Sequence, residues 1–457
     1  MKKLLSLFIA MNLVGFSTSG HAEDLLQIYK QAKETNPELL KALADRNSVF
    51  EGINLARSPL LPQLGLGAKT GYEKNFRNSK QETRNTSAGL TLEQTIFDMS
   101  KWNKLNQAEK KAGIADISYQ AAQQKLILDT ANAYFDVLSK IDALTYSEAQ
   151  KSSLYRQLDQ TTQRFNVGLA AITDVQNARA QYDSILAQEV YDRNELDNSL
   201  EKLRLITGVY YPQLASLNID HFKTSKPKPA EDLLKEAETR NLNLLSARLM
   251  QDLKREQIKD AQTGYMPTLG LSASTGVQNT HTRRNNNGNP STNQYGGSNS
   301  VSVSFSMPLY SGGATSSQVE QAKYDFLSSS QDLENTYRKV IQDVRSSSND
   351  IGASISSIEA NKQAVLSAES SLHSMEAGYQ VGTRTIVDVL DSTTKLYQAK
   401  KNLSQARYKY LISLLVNQQS RGTLNEDDLA ALNNILGTQV STSASNIIKE
   451  MKTPSIR

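Results

Sequence analysis

The feature that most constrains this chain is an internal repeat. Lys30-Gln-Ala-Lys-Glu-Thr-Asn36 returns as Lys235-Glu-Ala-Glu-Thr-Arg-Asn241, and Pro62-Gln-Leu-Gly-Leu66 returns as Pro267-Thr-Leu-Gly-Leu271. Later in each half, Val167, Gly168, Ile172, Asp174 and Val175 recur in order as Val381, Gly382, Ile386, Asp388 and Val389. A chain built this way folds as two copies of one plan. The halves are 23–212 and 230–437. Pro212, Pro227 and Pro229 mark a connector over 213–229.

Each half opens with helical periodicity and then changes period. After Pro62, Leu64, Leu66, Ala68, Thr70 and Tyr72 alternate with small or polar residues, and Ala88, Leu90 and Leu92 do the same after a polar turn over 75–85. In the second half Leu269, Leu271, Ala273, Thr275 and Val277 alternate with Gly and Ser, as do Val301, Val303 and Phe305 after a polar loop over 279–299. Period two means strand. Four strands of about ten residues, apolar on one face and Gly, Ser or Thr on the other, carry the signature of a transmembrane barrel. A half-buried soluble sheet alternates in the same way. The Asn-, Gly- and Ser-rich loop favours the membrane. Four strands cannot close, because the smallest membrane barrels have about eight. An open edge in lipid leaves backbone groups unpaired, so several chains must share one barrel. The pattern does not choose between two, three and four chains.

Each strand pair runs into a long helical stretch, 101–166 and 318–379, of roughly 90–100 Å if continuous at 1.5 Å per residue. A return helix comes after each one. Val389, Leu396, Leu403 and Tyr410 are seven apart with Ser392, Ala399, Ala406 and Ser413 between them. Val175, Tyr182, Leu196 and Leu203 keep the same phase, with Glu189 breaking its apolar character. That heptad predicts coiled-coil packing. Gly168 and Gly382 mark the hairpin turns, where a left-handed residue ends a helix.

Residues 1–22 read as a signal peptide, with Lys2 and Lys3, an apolar run from Leu4 to Phe16, and small residues at Gly20 and Ala22. Residues 438–457 lose periodicity and read as a flexible tail. Cysteine is absent, which excludes a disulfide framework and thiolate metal sites. The formal charge of +4 is spread over both signs, so nothing asks for nucleic acid. The four histidines share no motif spacing, and no phosphate loop or nucleophile elbow is present. The reading is therefore not an enzyme and no cofactor. Asp388 and Asp391, three apart on one helical face, suit a solvated surface, acid–base chemistry, a metal site, or a carboxylate ring repeated by oligomer symmetry at a pore mouth. Such rings attract cations. A hydrolase using the pair lacks a nucleophile or base.

The specific pieces are Gln163-Arg-Phe-Asn-Val-Gly168, Ala171-Ile-Thr-Asp-Val-Gln-Asn177, Gly378 to Asp391 and Gly422-Thr-Leu-Asn-Glu426. On these, and over nearly the whole mature chain, the sequence resembles the outer membrane factor family, the channel-tunnels of drug efflux and type I secretion. The resemblance implies an α+β membrane protein and a homotrimer. It implies a twelve-stranded β-barrel, four strands per chain, continued by a periplasmic α-helical barrel of coiled coils with a mixed α/β equatorial collar formed by the connector and the tail end. It implies gate links of Gln163 with Glu376, Asp174 with Tyr379, and Arg384 with Thr173 and Asp174 of a neighbouring chain, and Asp388 and Asp391 as an aperture cation ring. It also implies outer-membrane lipid, a periplasmic adaptor, and an inner-membrane drug pump or ABC transporter as partners. The competing expectation is a trimeric coiled-coil structural protein or adhesin at the surface, which needs no matched tips carrying glycine and acid.

Overall fold

The computed structural model describes residues 24–75, 81–284 and 291–452. The expected signal peptide lies outside them. The repeat is visible element by element. Helices α1 (Leu25–Thr35) and α2 (Pro37–Arg57) correspond to α5 (Ala230–Arg240) and α6 (Leu242–Gln262). Strands β1 (Gln63–Asn75) and β2 (Gln81–Phe97) correspond to β4 (Thr268–Arg284) and β5 (Thr292–Ser306). The long helices α3 (Met99–Asn166) and α7 (Ala314–Gln380) have 68 and 67 residues, and the return helices α4 (Ile172–Thr207) and α8 (Ile386–Arg421) have 36 each. Near-equal lengths are what one duplicated plan requires.

The described residues divide into two compact units, one of 24–40, 123–237 and 343–452, the other drawn from 41–122 and 238–342. In the second unit β1, β2, β4 and β5 form one antiparallel sheet in that order. Leu64 faces Leu92, Leu66 faces Leu90, Ala88 faces Val277, Leu271 faces Val303 and Leu269 faces Phe305, so the apolar residues of all four strands share one face. That face is uncovered in the single chain: Leu66 is 81% exposed and Val301 76%. The opposite face carries Ser272 opposite Ser302 and Ser274 opposite Ser300, joined by hydroxyl hydrogen bonds of 2.7 and 2.8 Å. The sheet is open, with β1 and β5 at its edges. The strands have 13, 17, 17 and 15 residues, longer than expected. Strands β4 and β5 extend into the segment read as a loop over 279–299, and the part of that loop over 285–290 lies outside the described residues, as do 76–80 of the first turn. Among the described residues no helix is long and apolar enough to cross a membrane, which says nothing about the strands.

In the first unit the heptad face is buried. Val389, Leu396, Leu403 and Tyr410 on α8 are at most 9% exposed, and Leu196 and Leu203 on α4 at most 1%. The local reading of a flexible tail is corrected here, and the connector and tail end, which the resemblance made a mixed α/β collar, do carry structure. The connector holds a strand, β3 (Gln213–Leu217), and the supposed tail holds β6 (Leu436–Ser441) and α10 (Ala444–Lys452), after α9 (Glu426–Asn433). β3 and β6 pair antiparallel, and α10 buries Ile447 and Ile448. Their order comes from pairing across more than 200 positions of sequence, which local periodicity does not carry. Together with Tyr134, whose hydroxyl donates to Ala215 O at 2.6 Å, they form a mixed α/β patch. Residues 453–457 lie outside the described residues.

Candidate functional site

The two hairpin tips lie in the first unit and are built alike. Gly168 and Gly382 have φ of 78° and 79°, which L side chains rarely adopt. Gly168 N donates to Phe165 O at 2.9 Å and Leu169 N to Arg164 O at 2.8 Å. Gly382 N donates to Tyr379 O at 3.2 Å and Thr383 N to Gly378 O at 2.9 Å. Both are Schellman endings, which satisfy the last carbonyls of α3 and α7. Behind the turns, Leu154, Ala178, Ile185, Ile386, Val389 and Leu390 form one buried cluster against which Leu158, Tyr182, Leu372, Met375 and Tyr379 pack. The tips are therefore held to each other by apolar burial, at about 1.5–3 kcal/mol for each fully buried large side chain.

The restarts differ. Asp388 completes a capping box: its Oδ2 accepts from Thr385 N at 3.0 Å and Thr385 Oγ1 at 2.9 Å, while Asp388 N donates to Thr385 Oγ1 at 3.3 Å. The backbone bond first, then the hydroxyl, holds the Asp388 carboxyl below its ordinary value. In the first copy the cap is Ala171, which has no hydroxyl. Among the described residues Asp174 receives only Ala171 N, at 3.4 Å, so most of its accepting capacity there is unspent. Asp391 is exposed and pairs with Lys395 at 2.7 Å, so the expected ring charge is partly answered within each chain. Among the described residues no three potential ligands cluster for a metal ion.

The structure brings some expected gate residues together and not others. Gln163 donates to Asp159 on its own helix at 2.8 Å rather than to Glu376. Among the described residues no hydrogen bond joins Asp174 to Tyr379. Instead the Arg164 guanidinium lies 4.7 Å from the centre of the Tyr379 ring, a cation–π contact between the two tips. Thr173, Glu376 and Arg384 are exposed. Arg384 rests over Gly378, where a Cβ would stand 2.7 Å from its Cγ. Sequence reasoning missed Arg164, Gly378 and Thr385 as parts of the site. It also missed the apolar surface of the tips: Val167, Leu169 and Val381 are 69%, 71% and 75% exposed.

Further along the bundle a buried ionic layer was legible only as a broken heptad. Glu189 on α4 bonds Lys151 on α3 and Arg193 on its own helix, and Lys151 also reaches Glu148 at 2.7 Å. Burial pushes the Glu148 carboxyl up, only partly opposed by Lys151. Burial acts on Glu189 as well, but Lys151, the bond to Glu148 and the Arg193 charge outweigh it and hold Glu189 low. A neighbouring carboxylate, Asp192, takes Ser147 Oγ and Lys401 Nζ, tying α3, α4 and α8 together.

The family model for outer membrane efflux proteins matches residues 28–209 and 233–416, once per repeat. The chain belongs to the outer membrane efflux protein family. It is 59% identical over 452 residues to the outer membrane protein TolC of Escherichia coli strain K12, covering 98% of this chain and 92% of that one. It is 27% identical over 446 residues to the alkaline protease secretion protein AprF of Pseudomonas aeruginosa, covering 94% and 90%. The crystal structure of the outer membrane protein VceC from Vibrio cholerae superposes with a TM-score of 0.72 at 19% identity, over 87% of this chain and 96% of that one, and shares the fold. The chain is thus an outer-membrane protein of a channel family, not an enzyme, and the adhesin reading is not favoured.

Proposed function

We propose that three copies of this chain form a passive exit duct in the outer membrane for drug efflux and type I protein secretion. Three chains pool four strands each into a twelve-stranded barrel, and the helices continue the duct through the periplasm. The observation that carries this reading is the open four-stranded sheet with its uncovered apolar face. Lipid suits that face, but the edges β1 and β5 require partners, because unpaired backbone groups cost several kcal/mol each in hydrocarbon. Family membership and the secretion and efflux relatives support the direction of transport.

The tips form the gate. The sequence holds no nucleotide-binding motif, so opening takes its energy from partners: a periplasmic adaptor and an inner-membrane drug pump or ABC transporter. The exposed Val167, Leu169 and Val381 offer them apolar contact. Asp174, with its unspent acceptors, is the natural receiver for Arg384 of a neighbouring chain, whose fork spans Asp174 and Thr173 together. Such links are each worth about 0.5–3 kcal/mol, weak enough to exchange for partner contacts. Gln163, Glu376 and Tyr379 stand beside them, and Asp388 and Asp391 form the aperture cation ring. Planar-bilayer recording tests the gate. Arg384→Ser with Tyr379→Phe raises single-channel conductance without partners, while heat stability of the assembly stays near that of the parent. Conductance unchanged from the parent places the gate elsewhere.

A further inference from the structure

The apolar face of the sheet does not run to the ends of the strands. From Leu64 to Tyr72 on β1 it spans about nine residues, the length of a tilted membrane strand. Toward the strand ends opposite those joined to helices, the same face turns polar and then charged. Thr70, Thr86, Asn279 and Tyr295 form one row across the four strands. Tyr72, Arg84, His281 and Asn293 form the next, and Lys74, Glu82 and Arg283 the one beyond. Tyr72 and Tyr295 are 64% and 79% exposed and lie where aromatic girdles meet the headgroups. Glu82 pairs with Lys74 at 2.8 Å and stands directly across the ladder from Arg283, whose charge it also feels, and His281 Nδ1 lies 2.6 Å from Asn293 Oδ1. Arg84 and Arg283 are exposed, and among the described residues neither is in an ion pair. They sit on diagonal positions of β2 and β4, roughly 7–8 Å apart at the backbone.

Directly on the membrane side of these arginines is a hollow of about 430 Å³, lined on this face by Thr86, Ala88, Val277, Asn279, Tyr295 and Gly297. Gly297, two residues from Tyr295 on the same face of β5, contributes no side chain to it. On one of its lining residues, Asn279, the Oδ1 is buried without a hydrogen-bond partner among the described residues.

A mostly apolar hollow that opens on the lipid face, capped by two arginines at headgroup height, fits an amphiphile with an anionic head. We propose that Arg84, Arg283 and the Gly297 hollow bind a phosphorylated lipid of the leaflet facing away from the helices, its phosphate on the guanidinium forks and one acyl chain in the hollow. Arginine suits phosphate because its fork donates two parallel bonds to it. Basic clusters at headgroup depth draw anionic lipids generally. This inference rests on the outer-membrane reading, which gives the apolar face its lipid.

Native mass spectrometry of the full assembly tests it, with phosphatidic acid and phosphatidylcholine of identical acyl chains as probes. The assembly should retain phosphatidic acid in preference to phosphatidylcholine. Arg84→Gln with Arg283→Gln should lower phosphatidic acid retention roughly tenfold, the loss of about one charge-assisted contact. Gly297→Leu, which fills the hollow and leaves both charges, should lower it as well. Lys69→Gln, on the opposite face of β1, should change nothing, and excess inorganic phosphate should not displace the lipid. Equal retention of the two lipids, full retention in the double variant, or displacement by inorganic phosphate overturns the proposal. Bilayer conductance of the double variant should equal that of the parent. If the unaltered chain itself fails to conduct, the duct reading fails, and the lipid result is judged separately on retention.

Discussion

Gly67, Gly89 and Gly276 form one row across β1, β2 and β4, yet they are not equivalent. A Cβ at Gly89 would stand 2.8 Å from Thr275 O and 3.2 Å from Gly276 Cα, both backbone atoms of the facing strand. A Cβ at Gly67 would meet nothing within 4 Å. Alanine at either position gains about 0.5–1 kcal/mol from the lower entropy of the unfolded chain. At Gly89 that gain is outweighed, because two backbones must separate by several tenths of an ångström, and overpacking of this kind costs about 1–3 kcal/mol. In the proposed assembly of three chains the difference recurs three times, for a total of about 3–9 kcal/mol. Membrane assemblies of this kind unfold irreversibly, so the readout is a rate. The half-life of the purified assembly at a fixed high temperature should shorten markedly in Gly89→Ala and stay equal or lengthen in Gly67→Ala. Equal half-lives for the two variants would refute the close approach of β2 and β4, and with it the register that joins the two repeats.

Three further outcomes are expected. Leu271→Arg should reduce assembled protein in the outer membrane, at about 2–4 kcal/mol for a cation near the lipid midplane, while Ser272→Arg on the hydroxyl face should not; fractionation and heat-resistant bands on gels read the difference. Multivalent cations added from the helical side should block current, and Asp388→Ala with Asp391→Ala should abolish that block. The Glu148 carboxyl is raised by burial, so above the ordinary Glu value of 4.5 the folded chain takes up its proton before the unfolded chain as pH falls, and stability increases. Glu148→Gln should flatten that part of the stability profile; an unchanged slope would show that Glu148 does not titrate in that window.

The period-two runs were legible because lipid or core demands an apolar residue at every second position, and Leu64, Leu66, Leu271 and Val303 supply it. The strand ends were not, because Thr280, Thr282, Asn293 and Gln294 continue the ladder beyond the apolar zone, where composition resembles a loop. Gly168 and Gly382 were readable because positive φ selects glycine locally. Arg164 on Tyr379 joins segments more than 200 positions apart, and no local pattern reports it. Glu189 shows the same limit: its heptad position announced a buried residue, while the Lys151 that makes a buried carboxylate tolerable lies on another helix. β3 and β6 gave no local signal for this reason too, since each short strand exists only through the other, and only the resemblance pointed to the connector and the tail end as a mixed α/β region.

On the proposed reading the chain closes its sheet only with copies of itself and thereby makes a conducting duct. The most direct measurement takes one purified sample, weighs the native assembly by mass spectrometry, and records its conductance in a planar bilayer. The expected result is an assembly of three chains with a small, cation-selective conductance that rises when the tips are unlinked. A stable single chain in the membrane, or a trimer that never conducts, would contradict it.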